Sequence, residues 1–226
     1  MKSMLKFLRN KFLIDVARQG DLERLYNQIE GLQQIQNAID GKAVLRPMRD
    51  WAISPDAMAC VLADLQERHA PTVIEFGSGQ STIILAAALK HRNGCLLSVE
   101  HDLEYSAVIQ RQAKACGLAE LIQFIHAPLC EPPVAPGNSS YDTKIIPNCQ
   151  VDVALIDGPP YTNGLLTRLT PLRWAAQHLK SGGAIFLDDS ARVAEQACLK
   201  QLQVEFPNLY ALPRYAEKGL TELRSP

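Results

Sequence analysis

A glycine turn between a strand pattern and an apolar helix pattern constrains the fold of this chain more than any other stretch. The turn, Gly-Ser-Gly at residues 77–79, follows the apolar run 72–74 and opens into the apolar run 83–89. Glycine is needed where the backbone turns sharply and a ligand lies against it without a Cβ in the way. A strand, a glycine turn and a helix in this order are typical of a nucleotide-type cofactor site. Glu75, two residues before the first glycine, indicates that the ligand carries a positive group.

Strand patterns alternate with helix patterns from about residue 51 onward. The predicted strands are 72–76, 95–100, 121–126, 151–157, 184–188, 209–212 and 219–223, and the predicted helices are 55–69, 80–91, 103–116, 164–180 and 190–204. Short apolar strands that alternate with helices imply a parallel sheet covered on both faces. We therefore predict an α/β fold with a doubly wound, mostly parallel sheet, in which the last two strands form an antiparallel edge pair.

Composition excludes several classes of protein. Of the 226 residues, 47% are apolar and 21% are charged, which is ordinary for a soluble globular protein. The net charge of −1 gives no drive toward nucleic acid, so no nucleic-acid partner is expected. The six cysteines include no C-x-x-C pair, which favours free thiols in a reducing compartment. No apolar run reaches the roughly 18 residues of a membrane span and no secretory signal is recognisable, so we expect a cytoplasmic protein.

The N-terminal segment has a different character. Residues 1–20 carry five basic residues and one acid, and their apolar residues recur at helical spacing. These features indicate a basic amphipathic helix. Such a helix either contacts an anionic membrane surface or packs its apolar stripe on the rest of the chain or on a second subunit. A second amphipathic helix is predicted from Asp21, as its N-cap, to Ile39. We predict a helical appendage over 1–45 and a cofactor-binding domain over 46–226.

Two adenosine-containing cofactors fit the predicted sheet edge. Glu100 ends a strand 23 residues after Gly77, a distance at which an acid accepts hydrogen bonds from both ribose hydroxyls. The end of the next strand, His126-Ala127, offers a place for an adenine. A nicotinamide dinucleotide site has a third glycine where this chain has Thr82. S-adenosylmethionine (SAM) has no phosphate but a sulfonium and an amino group, so Glu75 near the turn favours SAM.

Four motifs in order and in register resemble the class I SAM-dependent methyltransferases. They are VIEFGSGQST at 73–82, SVEHD at 98–102, VALIDGPP at 153–160 and LKSGGAIFLDD at 179–189. The resemblance covers roughly residues 50–226, and it implies a seven-stranded Rossmann-like sheet with SAM held by the first two motifs. The residues expected to contact the cofactor are Glu75, Gly77, Ser78, Gly79, Ser81, Thr82, Glu100, His101, His126, Ala127 and Asp157.

The same resemblance suggests how the acceptor is activated. Asp157 ends the fourth predicted strand, beside the expected methyl group, and is the candidate catalytic residue for removing a proton from a hydroxyl. In metal-dependent O-methyltransferases, an acid at this point and an acidic pair after the fifth strand hold a divalent cation such as Mg²⁺. Asp157, Asp188 and Asp189 match that layout. The alternative is that Asp189 or Ser190 caps the next helix, and Pro160 stands where catechol-type members carry a lysine.

We therefore expect a SAM-dependent O-methyltransferase that acts on a small molecule or a sugar. The alternatives are an NAD-linked oxidoreductase and a non-catalytic SAM-fold protein whose N-terminal helices serve assembly. The proline-rich segment 127–150 is long for a connection and is interpreted as a substrate lid. His126, Tyr141 and Asp142 are further candidates for the general base. Arg168 either binds an acidic acceptor or, as we expect, lies exposed on a helix.

Overall fold

The computed structural model describes residues 2–39, 45–132, 136–160 and 164–226, and it describes side chains from residue 19 onward. The helices are α1 Lys2–Ala38, α2 Pro55–Gln66, α3 Gln80–Lys90, α4 Leu103–Ala115, α5 Leu169–His178 and α6 Val193–Glu205. The strands are β1 Thr72–Phe76, β2 Cys95–Glu100, β3 Ile122–His126, β4 Leu129–Cys130, β5 Ser140–Tyr141, β6 Val151–Ile156, β7 Leu179–Asp188, β8 Tyr210–Arg214 and β9 Leu220–Arg224.

Seven of the strands form one sheet in the order β3-β2-β1-β6-β7-β9-β8. The pairs from β3 to β7 are parallel, whereas β9 runs antiparallel to both β7 and β8. The strand order reverses between β1 and β6, and ligands bind at such a switch point beyond the carboxyl ends of the strands. The predicted fold class, a doubly wound and mostly parallel seven-stranded sheet with an antiparallel edge pair, is confirmed.

Both faces of the sheet are covered by helices. One apolar cluster packs α2 and α3 on one face, and a second packs α5 and α6 on the other. Helix α3 is buried all round from Gln80 to Leu89, as its continuous apolar sequence requires. Helix α5 is shorter than the predicted 164–180 at both ends, because it begins only at Leu169 and because Leu179 and Lys180 belong to β7.

The two predicted N-terminal helices are one continuous helix. Asp21 lies inside α1, which runs without a break through Gly20, so Asp21 does not cap a second helix. Near the end of α1, Ile35 and Ile39 are buried in the core. The predicted domain boundary at 45 adjoins residues 40–44, which lie outside the described residues. The side chains of the predicted amphipathic stretch 1–18 are not described either.

The helices in the described part of the chain include none that is both long and apolar enough to cross a membrane. The predicted lid segment is partly anchored, since β4 and β5 pair and both Tyr141 and Ile146 are buried. The lid interpretation stays a prediction for the exposed part of this segment.

Candidate active site

The glycine turn after β1 lies against the end of β6. Gly77 adopts a φ of +104°, and a Cβ there would lie 3.1 Å from the nitrogen of Gly158. The amide of Gly79 donates to Oγ1 of Thr82 at 2.9 Å, so Thr82 closes the turn at the start of α3. The positive φ explains why glycine is required at position 77.

A cavity of about 550 Å³ opens beside this turn, at the carboxyl ends of β1, β2 and β6. Seven of the predicted site residues line it, namely Gly77, Ser78, Gly79, Ser81, Glu100, His101 and Asp157. The other predicted site residues, which are Glu75, Thr82, His126, Ala127, Asp188 and Asp189, are not among the described residues of its lining. The cavity therefore brings together seven of the predicted contact residues, and the contact of the others with a cofactor stays a prediction.

Glu75 lies beneath the turn rather than in the cavity. It is fully buried, and its carboxylate accepts hydrogen bonds from Oγ of Ser81 at 2.9 Å and Oγ of Ser98 at 2.7 Å. Burial raises the pKa of Glu75 to about 7, although hydrogen bonds from Thr82, Ser98 and Ser81 lower it. This carboxylate therefore supports the turn from below, and it is not among the described residues that line the cavity.

Glu100 ends β2 with its carboxylate held in position by backbone amides. Its Oε1 accepts from the amides of His101 at 2.7 Å and Asp102 at 2.9 Å, and its Oε2 accepts from the amide of Ser78 at 3.0 Å. A carboxylate oxygen accepts two hydrogen bonds. Among the described residues Oε2 receives only the one from Ser78, so it keeps a site for a ligand hydroxyl.

Two histidines lie near Glu100 in different roles. Nδ1 of His101 lies 2.7 Å from Oε1 of Glu100, and this close carboxylate raises the pKa of His101. Nε2 of His126 donates to the carbonyl of His101 at 3.0 Å. His126 therefore stabilises the cavity wall from behind. The neighbouring Ala127 is buried, and its amide donates a hydrogen bond to the carbonyl of Glu100.

Tyr141 belongs to the site through packing that sequence reasoning missed. Its ring is almost fully buried, 5.8 Å from Phe76 and 6.0 Å from His101 between ring centroids. A Cβ on Gly158 would lie 2.2 Å from its hydroxyl oxygen. Burial raises the pKa of Tyr141 well above its usual range, so burial favours the protonated phenol. Its only sequence signal is an aromatic residue within a proline-rich segment.

A segment before α2 forms the outer wall of the cavity. Arg46, Arg49 and Trp51 line it together with their neighbours up to Ile53, and Trp51 is 66% exposed. The sequence analysis missed these residues. The available signal was a charged and aromatic cluster, RPMRDW at 46–51, between two helix patterns.

The three acids of the predicted metal site come together. Asp157, Asp188 and Asp189 each offer a carboxylate oxygen within 4.8 Å of the others. Asp188 and Asp189 are buried behind the cavity, whereas Asp157 reaches its wall. Burial and then the charge of Asp188 raise the pKa of Asp157 well above its usual range. The alternative role of Asp189 or Ser190 as a helix cap is wrong, because α6 begins at Val193 with Arg192 in the cap position.

Arg168 occupies the centre of this acidic cluster. Its guanidinium lies 3.1 Å from Asp189, 3.5 Å from Glu195 and 3.8 Å from Asp157. It also donates to the backbone carbonyls of Asp157 at 2.6 Å, Asp188 at 2.9 Å and Pro159 at 3.4 Å. Arg168 is only 3% exposed, so the expectation of an exposed helical arginine is wrong. The acids attract the arginine into the interior, where their charges offset its desolvation.

Two more cations complete the cluster. Arg192 lies 2.7 Å from Asp189, and Nζ of Lys218 lies 3.6 Å from Asp188 and 3.7 Å from Asp189. Neither residue belongs to a motif that the sequence analysis recognised. Lys218 reaches the site from the connection between β8 and β9, far from the motif residues in sequence.

A second cavity of about 550 Å³ lies elsewhere, between α2 and the edge pair β8–β9. Its charged residues pair with one another, since Asp64 binds Arg68 and Arg224, and Glu222 binds Arg214 and Arg224. It is remote from the carboxyl ends of the parallel strands. We therefore assign the chemistry to the cavity beside the glycine turn.

The site can be compared with known proteins. A family model described as a methyltransferase domain matches residues 74–190, just over half of the chain. Among curated protein sequences none is similar enough to count as a match. The structure of a Podospora anserina methyltransferase bound to S-adenosylhomocysteine (SAH) superposes with a TM-score of 0.61 at 16% identity, over 85% of this chain and 88% of that chain.

Two O-methyltransferases are also similar in structure. The enzyme from Bacillus cereus in complex with SAH gives a TM-score of 0.54 at 15% identity, over 85% of this chain and 91% of that chain. The enzyme TomG from Streptomyces achromogenes in complex with SAM gives 0.54 at 16% identity, over 87% and 90%. At these identities the likeness establishes the fold, and the family match over the site motifs confirms the predicted class of enzyme. The chain belongs to the methyltransferase-domain family.

Proposed function

We propose that this methyltransferase uses SAM as donor and a hydroxyl group of a small molecule or a sugar as acceptor. The observation that carries the proposal is that the glycine turn, Glu100 and Asp157 border one cavity at the switch point of the sheet. Structural neighbours with SAM or SAH bound support the choice of donor. Those neighbours that are named O-methyltransferases support a hydroxyl acceptor.

The cavity fits the proposed donor in size and in chemistry. Its volume of about 550 Å³ lies within the usual range for sites that enclose small molecules. Glu100 keeps an acceptor site for a ribose hydroxyl, and the glycine turn lets a ligand approach the backbone closely. When bound, SAM supplies a methyl carbon that its positive sulfonium already activates. We assign direct contact to the seven predicted residues of the cavity wall, and a supporting role to Glu75, Thr82, His126 and Ala127.

The chain's own contribution is to position the acceptor and to receive its proton. Asp157 lies at the end of β6 on the cavity wall, so we propose that its carboxylate accepts the proton of the acceptor hydroxyl. Bound SAM would supply the methyl carbon to the acceptor oxygen and would retain the electron pair of its sulfur–carbon bond on sulfur. The proton passes from the hydroxyl to Asp157 and then to solvent. Exclusion of water and alignment of the two reacting atoms supply the remaining acceleration.

The other candidate bases are placed for different tasks. Nε2 of His126 is engaged with the carbonyl of His101. Asp142 is not among the described residues that line the cavity, and burial favours the protonated phenol of Tyr141. Asp157 therefore keeps the role that was proposed for it from its position after β6.

A binding and transfer experiment tests this function. Isothermal titration with SAM, SAH and NAD should show binding of the first two, and radiolabelled SAM should transfer its methyl group to a member of a hydroxyl-bearing panel. Asp157→Asn should keep SAH binding but lose transfer, whereas Asp152→Asn, at the opposite end of the same strand, should keep both. Binding of NAD without SAM would instead support an oxidoreductase, and binding of SAM with no transfer would support an assembly protein.

We further propose that α1 pairs with α1 of a second copy. Five large apolar side chains on it are more than 40% exposed, namely Leu22, Leu25, Tyr26, Ile29 and Leu32. Residues 1–20 carry a net charge of +4 and residues 21–38 a net charge of −2. An antiparallel pair places the basic half of each helix against the acidic half of the other, and this complementarity favours a second copy over a membrane surface.

The cytoplasm is the proposed location. All six cysteines are free thiols, a state that reducing compartments maintain. Labelling of the native protein with a thiol reagent, before and after treatment with a reductant, should give the same count of reactive thiols.

A further inference from the structure

The ammonium group of Lys218 is surrounded by oxygen atoms. It donates to the carbonyl oxygens of Ala52 at 2.8 Å and Asp50 at 3.4 Å. It also lies 3.6 Å from the carboxylate of Asp188 and 3.7 Å from that of Asp189. Two carbonyl and two carboxylate oxygens around one positive charge form the kind of environment that oxygen ligands give a bound cation.

The connection between β8 and β9 holds Lys218 in this position. The carbonyl of Gly219 accepts from the amide of Ser190 at 3.1 Å, and the carbonyl of Lys218 accepts from the amide of Ala191 at 3.3 Å. Gly219 has a φ of +80°, and a Cβ there would lie 2.6 Å from the nitrogen of Ala191. This close approach of two backbones requires glycine and locks the lysine beside the acidic cluster.

The environment of the acids does not fit a resident divalent cation. Both carboxylate oxygens of Asp188 and one of Asp189 are buried without a hydrogen-bond partner among the described residues. The positive charges that face the two acids are those of Lys218, Arg168 and Arg192. A metal ion bound by the three acids would lie within a few ångströms of Lys218 and of Arg168, and repulsion between like charges is strong in a buried site. Arg168 is tied to three backbone carbonyls, so it does not vacate the cluster.

We propose that Lys218, together with Arg168, supplies the positive charge of this site, so that methyl transfer proceeds without a divalent metal. Lys218 is then a positioning residue. It ties residues 50–52 of the cavity wall to the acids behind Asp157, and so fixes the side of the cavity where the acceptor binds. This inference rests on the proposed function for its link to methyl transfer, whereas its statement about the cation site stands on geometry alone.

Titration with Mn²⁺, followed by electron paramagnetic resonance, tests the cation site directly. The wild-type protein should bind no stoichiometric Mn²⁺ at millimolar concentration. Lys218→Ala vacates the space among the four oxygens and should gain one Mn²⁺ site. Lys218→Met fills that space without charge and should gain none, and Lys200→Ala on the exposed surface of α6 should behave as wild type.

The activity of the same proteins completes the test. EDTA should leave the rate of methyl transfer by the wild-type protein unchanged. Lys218→Met should raise KM for the acceptor at least tenfold with little change in the affinity for SAH. Stoichiometric Mn²⁺ binding by the wild type that Asp188→Asn abolishes, or loss of transfer in EDTA, would overturn the inference. If Lys218→Ala does not fold, the wild-type titration still decides. If no hydroxyl compound of the panel accepts a methyl group, the proposed function is contradicted. The Mn²⁺ titration would still decide whether the acids bind a divalent cation.

Discussion

Arg168 and Asp189 form a buried ion pair, with 3.1 Å between the guanidinium nitrogen and the carboxylate oxygen. The arginine reaches Asp189 from the start of α5, and it donates at the same time to the backbone carbonyls of Asp188, the last residue of β7, and Asp157, directly after β6. This single side chain therefore joins the two strand ends that carry the acids of the site.

Removal of the Arg168 charge should destabilise the fold strongly. Arg168→Met leaves buried carboxylates and carbonyls without their partner, and breaking such a pair lowers the free energy of unfolding by about 3–5 kcal/mol. Urea denaturation followed by circular dichroism measures the loss. Lys200→Met, the matched loss of an exposed positive charge, should change stability by less than about 0.5 kcal/mol. A small effect of Arg168→Met would mean that the acids are stabilised in another way.

Substitution of Glu100 should weaken cofactor binding. Glu100→Gln replaces a charged acceptor by a neutral amide, and a hydrogen bond to a charged group contributes about 1.5–3 kcal/mol. The affinity for SAH measured by isothermal titration should fall about 10- to 100-fold. Glu104→Gln, an exposed residue of the neighbouring helix, serves as the control. Equal affinities of the two variants would remove Glu100 from the binding site.

Gly158 should not tolerate a side chain unless Tyr141 is shortened. Gly158→Ala places a methyl group 2.2 Å from the hydroxyl oxygen of Tyr141, and overpacking of this kind lowers stability by about 1–3 kcal/mol. Removal of that oxygen in Gly158→Ala/Tyr141→Phe should restore part of the loss. A double-mutant cycle of melting temperatures measures the coupling, and strict additivity of the two substitutions would contradict the packing described for these residues.

Glu75 should make stability depend on pH between about 4.5 and 7. Its pKa is raised from 4.5 to about 7 by burial, so the folded state holds the proton more tightly than the unfolded state. The contribution to stability is fully present below pH 4.5 and is lost as pH rises through 7, a change of about 3 kcal/mol at most. Glu75→Gln lacks this ionisation.

The measurement compares urea unfolding of wild type and variant from pH 5 to pH 8. The stability of the wild type relative to Glu75→Gln should fall as pH rises, and Glu67→Gln, at an exposed position, should follow the wild-type curve. A constant difference between wild type and Glu75→Gln would show that Glu75 keeps an ordinary pKa.

A charge placed on the exposed stripe of α1 should dissociate the proposed pair of subunits. Ile29→Asp should sediment as a monomer at concentrations where the wild type is a dimer, because it introduces a carboxylate at the apolar contact. Gln34→Asp, which adds the same charge on another side of the helix, should remain dimeric. A monomeric wild type that binds anionic lipid vesicles through α1 would identify a membrane as the partner instead.

Local sequence patterns predicted the sheet and the glycine turn well. The bounds of β1 and β2 agree with the prediction to the residue, because short apolar runs end there at charged residues or glycine. The pattern was less informative at Gly20, where one helix continues through a position that resembled a break. Whether a helix passes such a glycine depends on the contacts that support it on either side.

The parts of the site that escaped prediction are those formed by contacts between distant residues. Tyr141 and Arg168 are candidate residues in the sequence, but no local pattern indicates their burial or their partners. The amine of Lys218 meets the carbonyl of Ala52 across 166 positions in the chain. A sequence pattern reports periodicity over a few residues, whereas the partner of a buried charge is decided by which loops the sheet brings together. The sequence by itself determined the fold, the family and the cavity beside residues 77–79. Only the tertiary structure decided that the acids behind this cavity are paired with Arg168 and Lys218, because burial in the folded protein makes unpaired charges too unfavourable to persist.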